Sequence, residues 1–246
     1  MQCPFEDQVT MRAVEQYMSD VAWDYVINLG DFMDFNCISR WNTGLPGLKA
    51  GENLERDYDH GNAVLDRHCI AARKKNPDCQ MVLLEGNHDY RVVAWGHKYP
   101  ELGELLSVPR MLRLRERGIK WVKSWSDGAL YKVGKAVFHH GRFTNKYHAA
   151  KMALHYGTPI FYGHTHDIQE YWQVLHGKDE VIKGKSLGCL CEYGQRYLKG
   201  APTNWQQAIT VFYFHEDGYF QDHTAPIFKH RFIGPTNGKV YDGRKL

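Results

Sequence analysis

Short apolar runs that stop abruptly at polar, glycine-marked turns recur along this chain. Tyr25-Val26-Ile27-Asn28-Leu29 leads into Gly30-Asp31, and Met81-Val82-Leu83-Leu84 leads into Glu85-Gly86-Asn87-His88-Asp89. Ala136-Val137-Phe138 precedes His139-His140-Gly141, and Pro159-Ile160-Phe161-Tyr162 precedes Gly163-His164-Thr165-His166. Nearly continuous apolar runs of this length predict strands buried on both faces. Each delivers polar residues at its C-terminal end, as in a layered α/β protein whose site lies along one edge of a sheet.

Between these runs the period changes. Val9, Met11, Val14, Tyr17 and Met18 recur at mostly three- and four-residue spacings, which predicts a helix over 8–20 with one buried stripe. A second helix is expected over 52–75, ending at Asn76-Pro77, and the Gly/Pro-rich loop from Arg40 to Gly51 precedes it beside the site. Beyond His166 the texture turns to alternation, predicting strands over 168–175, 180–183, 186–191 and 207–215, with a hairpin turn at Glu216-Asp217-Gly218. The expectation is a single domain over 1–246: residues 1–166 carry the motifs, and 167–246 add mostly second-sheet strands and a tail. No repeat or low-complexity tract divides it.

Composition narrows the classes without choosing among them. Lys plus Arg number 31 against 28 Asp plus Glu, a net charge of +3 that gives only a faint pull toward anionic partners. No apolar run approaches the roughly 18 residues of a membrane span, and the N-terminal residues lack the basic and apolar regions of a signal peptide. The six cysteines form no C-x-x-C pair, and Cys189 and Cys191 alternate as on one strand face, so reduced structural cysteines in a cytoplasmic protein are expected. His60, His68, His97, His148, His155 and His230 have no ligand-like spacing. Gly184-Lys185-Ser186 lacks the upstream glycine of a P-loop and reads as a strand turn rather than a strand-to-helix junction.

Carboxylate, amide and imidazole side chains at the four turns form a ligand inventory suited to divalent metals that handle phosphate. Asn87 supplies a neutral oxygen, and His88 beside it is free for a different task. Adjacent residues of a strand point to opposite faces, so only one of His139 and His140 turns to the metals. Asp89 is expected to brace its loop.

These blocks, in this order, resemble the calcineurin-like metallophosphoesterases. That family carries D-x-H, G-D-x-x-D, G-N-H-[D/E], a His before Gly, and G-H-x-H; the last four stand here between positions 30 and 166. The resemblance implies an α/β fold built as a four-layer α/β/β/α sandwich of two mixed sheets. It implies two divalent ions, with Mn expected and Fe, Zn, Ni or Mg as alternatives. Asp31 would bridge both ions, Asn87, His140 and His164 would complete the second site, and His166 would serve the first. His140 is the family's choice because it stands immediately before Gly141. His88 would protonate the leaving oxygen, aimed by Asp34, after in-line attack of a metal-bridging hydroxide on phosphorus.

The first family motif departs from the pattern. Gln2-Cys3-Pro4 fits only its tail, so the motif's Asp and the strand that carries it would fall before Met1. Either the start lies upstream, or this is a shortened form whose first site keeps Asp31, His166 and, weakly, the amide oxygen of Gln2.

The expected activity is divalent-metal-dependent hydrolysis of a phosphoester. Arg110, Arg113, Arg115, Arg117, Lys120 and Lys123 around Trp121 and Trp125, together with Arg40-Trp41, tilt the substrate toward a nucleic-acid or nucleotide phosphodiester. A solvated helix face is the plainer reading of that basic run. One alternative is a phosphomonoesterase acting on protein or small-molecule phosphates. Another is a non-catalytic metal- or nucleic-acid-binding module with a defective first site.

Overall fold

The computed structural model describes residues 1–40, 50–178, 180–195, 198 and 200–246; most of the loop expected beside the site, 41–49, lies outside them. In chain order the helices are α1 Gln8–Asp20, α2 Leu54–Arg73, α3 Tyr90–Lys98, α4 Val108–Met111 and α5 His148–Tyr156. The strands are β1 Tyr25–Asn28, β2 Gln80–Leu84, β3 Ile119–Val122, β4 Tyr131–Val133, β5 Ala136–Phe138, β6 Ile160–Tyr162, β7 Ile168–Leu175 and β8 Glu180–Leu187. Two hairpins follow, from β9 Ala208–Phe214 with β10 Phe220–Pro226, and from β11 Arg231–Ile233 with β12 Val240–Asp242.

The helix starts are chemically marked. The Asp7 side chain accepts from Thr10 N at 2.9 Å, and Asn53 Oδ1 accepts from Arg56 N at 2.9 Å, satisfying backbone donors that the first turn leaves open. Glu55 and Asp57 occupy the first turn of α2 and Arg73 its last, matching the helix dipole.

The strands divide between two main sheets. One is parallel, in the order β1-β2-β3; the other is mixed, in the order β4-β5-β6-β8-β7. The four motif-bearing strands therefore do not share one sheet edge. Their C-terminal turns converge from two sheets, two turns from each. The C-terminal region also differs from the expected second sheet. The strands predicted over 180–183 and 186–191 begin as one continuous β8, and β7 and β8 extend the sheet that already holds β5 and β6.

Alternation along the strands explains the layering. On β2, Met81 and Leu83 pack with Met11, Val14 and Tyr17 of α1 and with Val64 and Leu65 of α2, whereas Val82 and Leu84 pack with Phe138, Phe161 and Leu187. Val137, Ile160 and Tyr162 face the other way, onto Met152 of α5. Strands packed on both faces need the apolar runs seen in the sequence. Gly184 lets α5 approach β8: a Cβ there would lie 2.0 Å from the Ala149 carbonyl oxygen, so packing rather than phosphate explains this glycine.

Among the described residues, no helix is long and apolar enough to cross a membrane.

Asp57 lies in α2 at 5% exposure, where burial pushes its carboxyl up to about 7 despite the Cys37 thiol that donates to it at 3.6 Å. A raised folded pKa gives stability that is present below the unfolded value and is lost as pH rises toward about 7. Asp57→Asn should remove that loss, unfolding about 1–3 kcal/mol less readily than wild type at mildly alkaline pH and showing little gain near pH 4. Urea titrations of both proteins across this range check it; parallel pH profiles would contradict it.

Candidate metal centre

The turns after β1 and β2 meet because no side chain stands between them. A Cβ on Gly86 would fall 2.1 Å from Asp31 Oδ1 and 2.2 Å from Asp31 N, so only glycine fits there. Asp31 and Gly30 both have positive φ, 48° and 96°, in a turn fastened by Gly30 N donating to Asn28 Oδ1 at 3.0 Å. Asp89 braces the same junction, accepting from Phe32 N, Met33 N and Gly86 N at 3.3, 2.9 and 2.8 Å. The bracing role expected of it is what the structure shows.

Four potential donor atoms converge beyond these turns. Around His140 Nε2 lie Asn87 Oδ1 at 3.0 Å, His164 Nδ1 at 3.1 Å and Asp31 Oδ2 at 3.4 Å. Asp31, His140 and His164 offer ligand atoms that all lie within 4.8 Å of one another. Asp31 and His140 are buried, at 3% and 1% exposure. The His140 backbone N donates to Ser124 Oγ at 2.9 Å, and its ring Nδ1 is 2.8 Å from the Leu29 carbonyl oxygen. That carbonyl can only accept, so Nδ1 carries a proton and Nε2 is the nitrogen presented to the group.

His139 faces away, its Nδ1 accepting from Gly141 N at 2.9 Å, as strand alternation requires.

Charge in the group is shared between Asp31 and His140. Burial alone would raise the Asp31 carboxyl, but the charges of His140 and His88 and the hydrogen bond from His140 hold it well below the usual range. Burial likewise opposes charge on His140, and Asp31 beside it prevails, raising its pKa. Burial and the neighbouring His140 charge push His164 down to about 3, leaving it a neutral ligand. A proton on His140 Nε2 is thus surrounded by a carboxylate oxygen, an amide oxygen and an imidazole nitrogen. A divalent ion fits this donor set, since carboxylate, amide and imidazole ligands suit borderline and hard metals.

His88 stands beside the ligand set. Its Nδ1 is 2.8 Å from Asp34 Oδ2, its backbone N donates to Asp31 Oδ1 at 2.8 Å, and its Nε2 is 4.0 Å from Asp31 Oδ2. Arg91, three residues along, donates to Asp34 O at 2.7 Å and to Asp34 Oδ1 at 3.0 Å, holding the carboxylate in place. Gln2 does not turn its amide oxygen to the ligand group: Oε1 accepts from Gln195 Nε2 at 2.8 Å, while Gln2 Nε2 lies 3.4 Å from both ring nitrogens of His88. His166 also stands apart from Asp31 and His140, in a group with Cys189 and Cys191.

Several neighbours escaped the sequence reading. Arg91 follows His88 by one helical turn, a spacing that signals proximity once the helix is known. Trp125 packs against both His140 and His164, with the Arg142 guanidinium 5.0 Å from its ring centre. Three members of the basic run around it are paired with acids: Arg110 with Glu104, Arg117 with Asp66 and Lys123 with Asp127. His60, whose spacing gives no sign of a ligand role, lies 2.6 Å from Glu6 within a donor group that includes Cys3. A cleft of about 820 Å³ opens beside the centre, lined by His164, Thr165, Tyr147, Tyr171, Asn204 and Trp205. Another of about 540 Å³ lies at the opposite end of β2, by Gln80, Arg73 and Arg117, away from the donor group.

Comparison with known proteins finds phage relatives. The chain is 27% identical over 256 residues to the Gene 54 protein of Mycobacterium phage L5, covering 98% of this chain and 95% of that protein. It is 26% identical over 259 residues to the Gene 54 protein of Mycobacterium phage D29, with the same coverage. No family model matches. No solved structure matches either.

Because an ion must displace the His140 proton, Mn²⁺ affinity should rise with pH through the imidazole range, and binding should release about one proton per ion. Calorimetric titration in buffers of different ionisation heat measures this; pH-independent affinity without proton release would contradict the assignment. His140→Ala should weaken binding at least about tenfold.

Proposed function

We propose that this chain is a divalent-metal-dependent phosphoesterase of the calcineurin-like metallophosphoesterase type. The observation that carries the reading is the pairing of a buried Asp31–Asn87–His140–His164 donor set with the adjacent His88–Asp34 dyad. A buried donor set alone fits many metal proteins. The second feature adds beside it an imidazole that can carry a proton.

Asp31, Asn87, His140 and His164 would hold the ion, with Mn²⁺ the first choice and Fe, Zn, Ni or Mg alternatives. When bound, such an ion supplies Lewis-acid activation of water and neutralises charge on a phosphoryl group. His88 is the general acid: Asp34 accepts from its Nδ1, keeping the ring oriented and Nε2 directed at the leaving oxygen. Arg91 Nη2, which can only donate, lies 3.3 Å from His88 Nε2, so Nε2 accepts in this arrangement and a substrate oxygen must take the place of Arg91 before His88 can act as the acid.

The four-layer α/β/β/α arrangement belongs to this proposal. It is supported by three apolar cores in sequence: α1 and α2 on one face of the parallel sheet, the two sheets together, and α5 on the outer face of the mixed sheet. The two-metal version is supported less, because Gln2 and His166 engage other partners. We therefore place the chemistry at the Asp31 set. Trp125 with Arg142 beside His140 and His164 favours a nucleotide or nucleic-acid phosphodiester, since a planar base can stack where a cation already does.

With Mn²⁺ present, the protein should hydrolyse bis-p-nitrophenyl phosphate in preference to p-nitrophenyl phosphate. His88→Ala should lower turnover by about 10²–10⁴ while leaving Mn²⁺ affinity unchanged. The reverse preference would favour the phosphomonoesterase. Absence of hydrolysis with any divalent ion, or full activity in His88→Ala, would leave a metal-binding module.

A further inference from the structure

The turn after β6 sends its two histidines to different partners. His164 joins Asp31 and His140, whereas His166 joins Cys189 and Cys191, with one ligand atom from each of these three within 4.8 Å of the others. Their exposures are only 7%, 9% and 0%. We propose that His166, Cys189 and Cys191 form a second metal site, selective for a thiophilic divalent ion such as Zn²⁺.

Chemistry separates this site from the first. Two thiols and an imidazole form a soft set that suits zinc, whereas carboxylate and amide oxygens suit manganese or magnesium. Tetrahedral zinc, with bonds of about 2.3 Å to sulfur and about 2.0 Å to nitrogen, places its ligands about 3.5–3.8 Å apart. Cys191 Sγ already lies 3.9 Å from His166 Nδ1, so only a small contraction is needed. Three protein donors leave the fourth position to water or another small ligand.

The backbone presets the three residues. Gln206 ties two of them together, its N donating to His166 O at 2.8 Å and its O accepting from Cys189 N at 2.9 Å. Cys191 is held by its bridge to Glu6, with flanking bonds from Asp7 N to Leu190 O at 3.0 Å and from Glu192 N to Phe5 O at 2.9 Å. Residues two apart on an extended chain point to one face, which directs both thiols toward His166. His166 itself takes a φ of 62°, a conformation disfavoured for residues with side chains and frequent at functional sites. Trp205 packs edge-on against its ring, with centroids 4.5 Å apart.

A disulfide explains the pair less well. The two sulfurs are free thiols, and their Cα atoms on an extended segment are about 6.6 Å apart, at the outer limit for a bridge. Closing it would bend a segment held by hydrogen bonds to both Gln206 and Phe5.

The site does not rest on the phosphoesterase reading, and Co²⁺ titration of the full chain tests it separately. One equivalent should bind with an intense near-ultraviolet thiolate-to-metal band, and one equivalent of Zn²⁺ should abolish that band. The band should be lost in Cys189→Ser and Cys191→Ser and retained in Asp31→Asn. Should either serine variant fail to fold, zinc protection of wild-type thiols from alkylation provides the same test. Co²⁺ binding without a thiolate band, a band that survives both serine variants, or thiols alkylated equally fast with and without Zn²⁺ would overturn the proposal. Absence of hydrolysis with an intact thiolate band would overturn only the phosphoesterase reading.

Discussion

The centre depends on one constraint: a carboxylate oxygen, an amide oxygen and an imidazole nitrogen lie within 3.4 Å of a nitrogen, His140 Nε2, that is itself a ligand atom. Groups rich in lone pairs gather in a buried place only with a donor or a positive charge between them. A proton on His140 meets that requirement, and in the proposed function a divalent ion would take its place. The surrounding structure sustains the gathering. Leu29 O fixes the His140 ring, Gly86 admits Asp31, and Asp89 fastens both turns through three backbone donors. The cost to Asp89 is visible, since burial and the nearby Asp31 charge raise its carboxyl to about 6.

Two sheets are needed to build this arrangement. The parallel sheet supplies Asp31 and Asn87, and the mixed sheet supplies His140 and His164. The core between the sheets, with Val82, Leu84, Phe138 and Phe161, sets their spacing. The geometry of the candidate centre thereby becomes a consequence of apolar packing. A cavity in that shared core would loosen ligands that the mutated residue never touches.

The sequence reveals much of this because buried strands and their turns leave local signatures. The apolar runs before Gly30, Gly86, His139 and Gly163 correspond to β1, β2, β5 and β6, and the stripe from Val9 to Met18 corresponds to α1. Alternation shows that only one of His139 and His140 can face the group, and the resemblance, through Gly141, selects His140. Pairing between distant strands leaves no such mark. The division of the four strands between two sheets, and the continuation of β8 through Gly184, depend on contacts far apart in sequence. Side-chain partners are similarly hidden. Nothing local in Gln2 announces Gln195, and nothing in His166 announces the cysteines more than 20 residues onward.

The central claim concerns where a divalent ion sits, and diffraction at the manganese edge from crystals soaked in Mn²⁺ tests it most directly. The account predicts an anomalous peak about 2.0–2.4 Å from Asp31 Oδ2, Asn87 Oδ1, His140 Nε2 and His164 Nδ1, with His88 within reach of the open side but not ligated. A manganese peak held by a different set of side chains, with these four still bonded to one another, would contradict it.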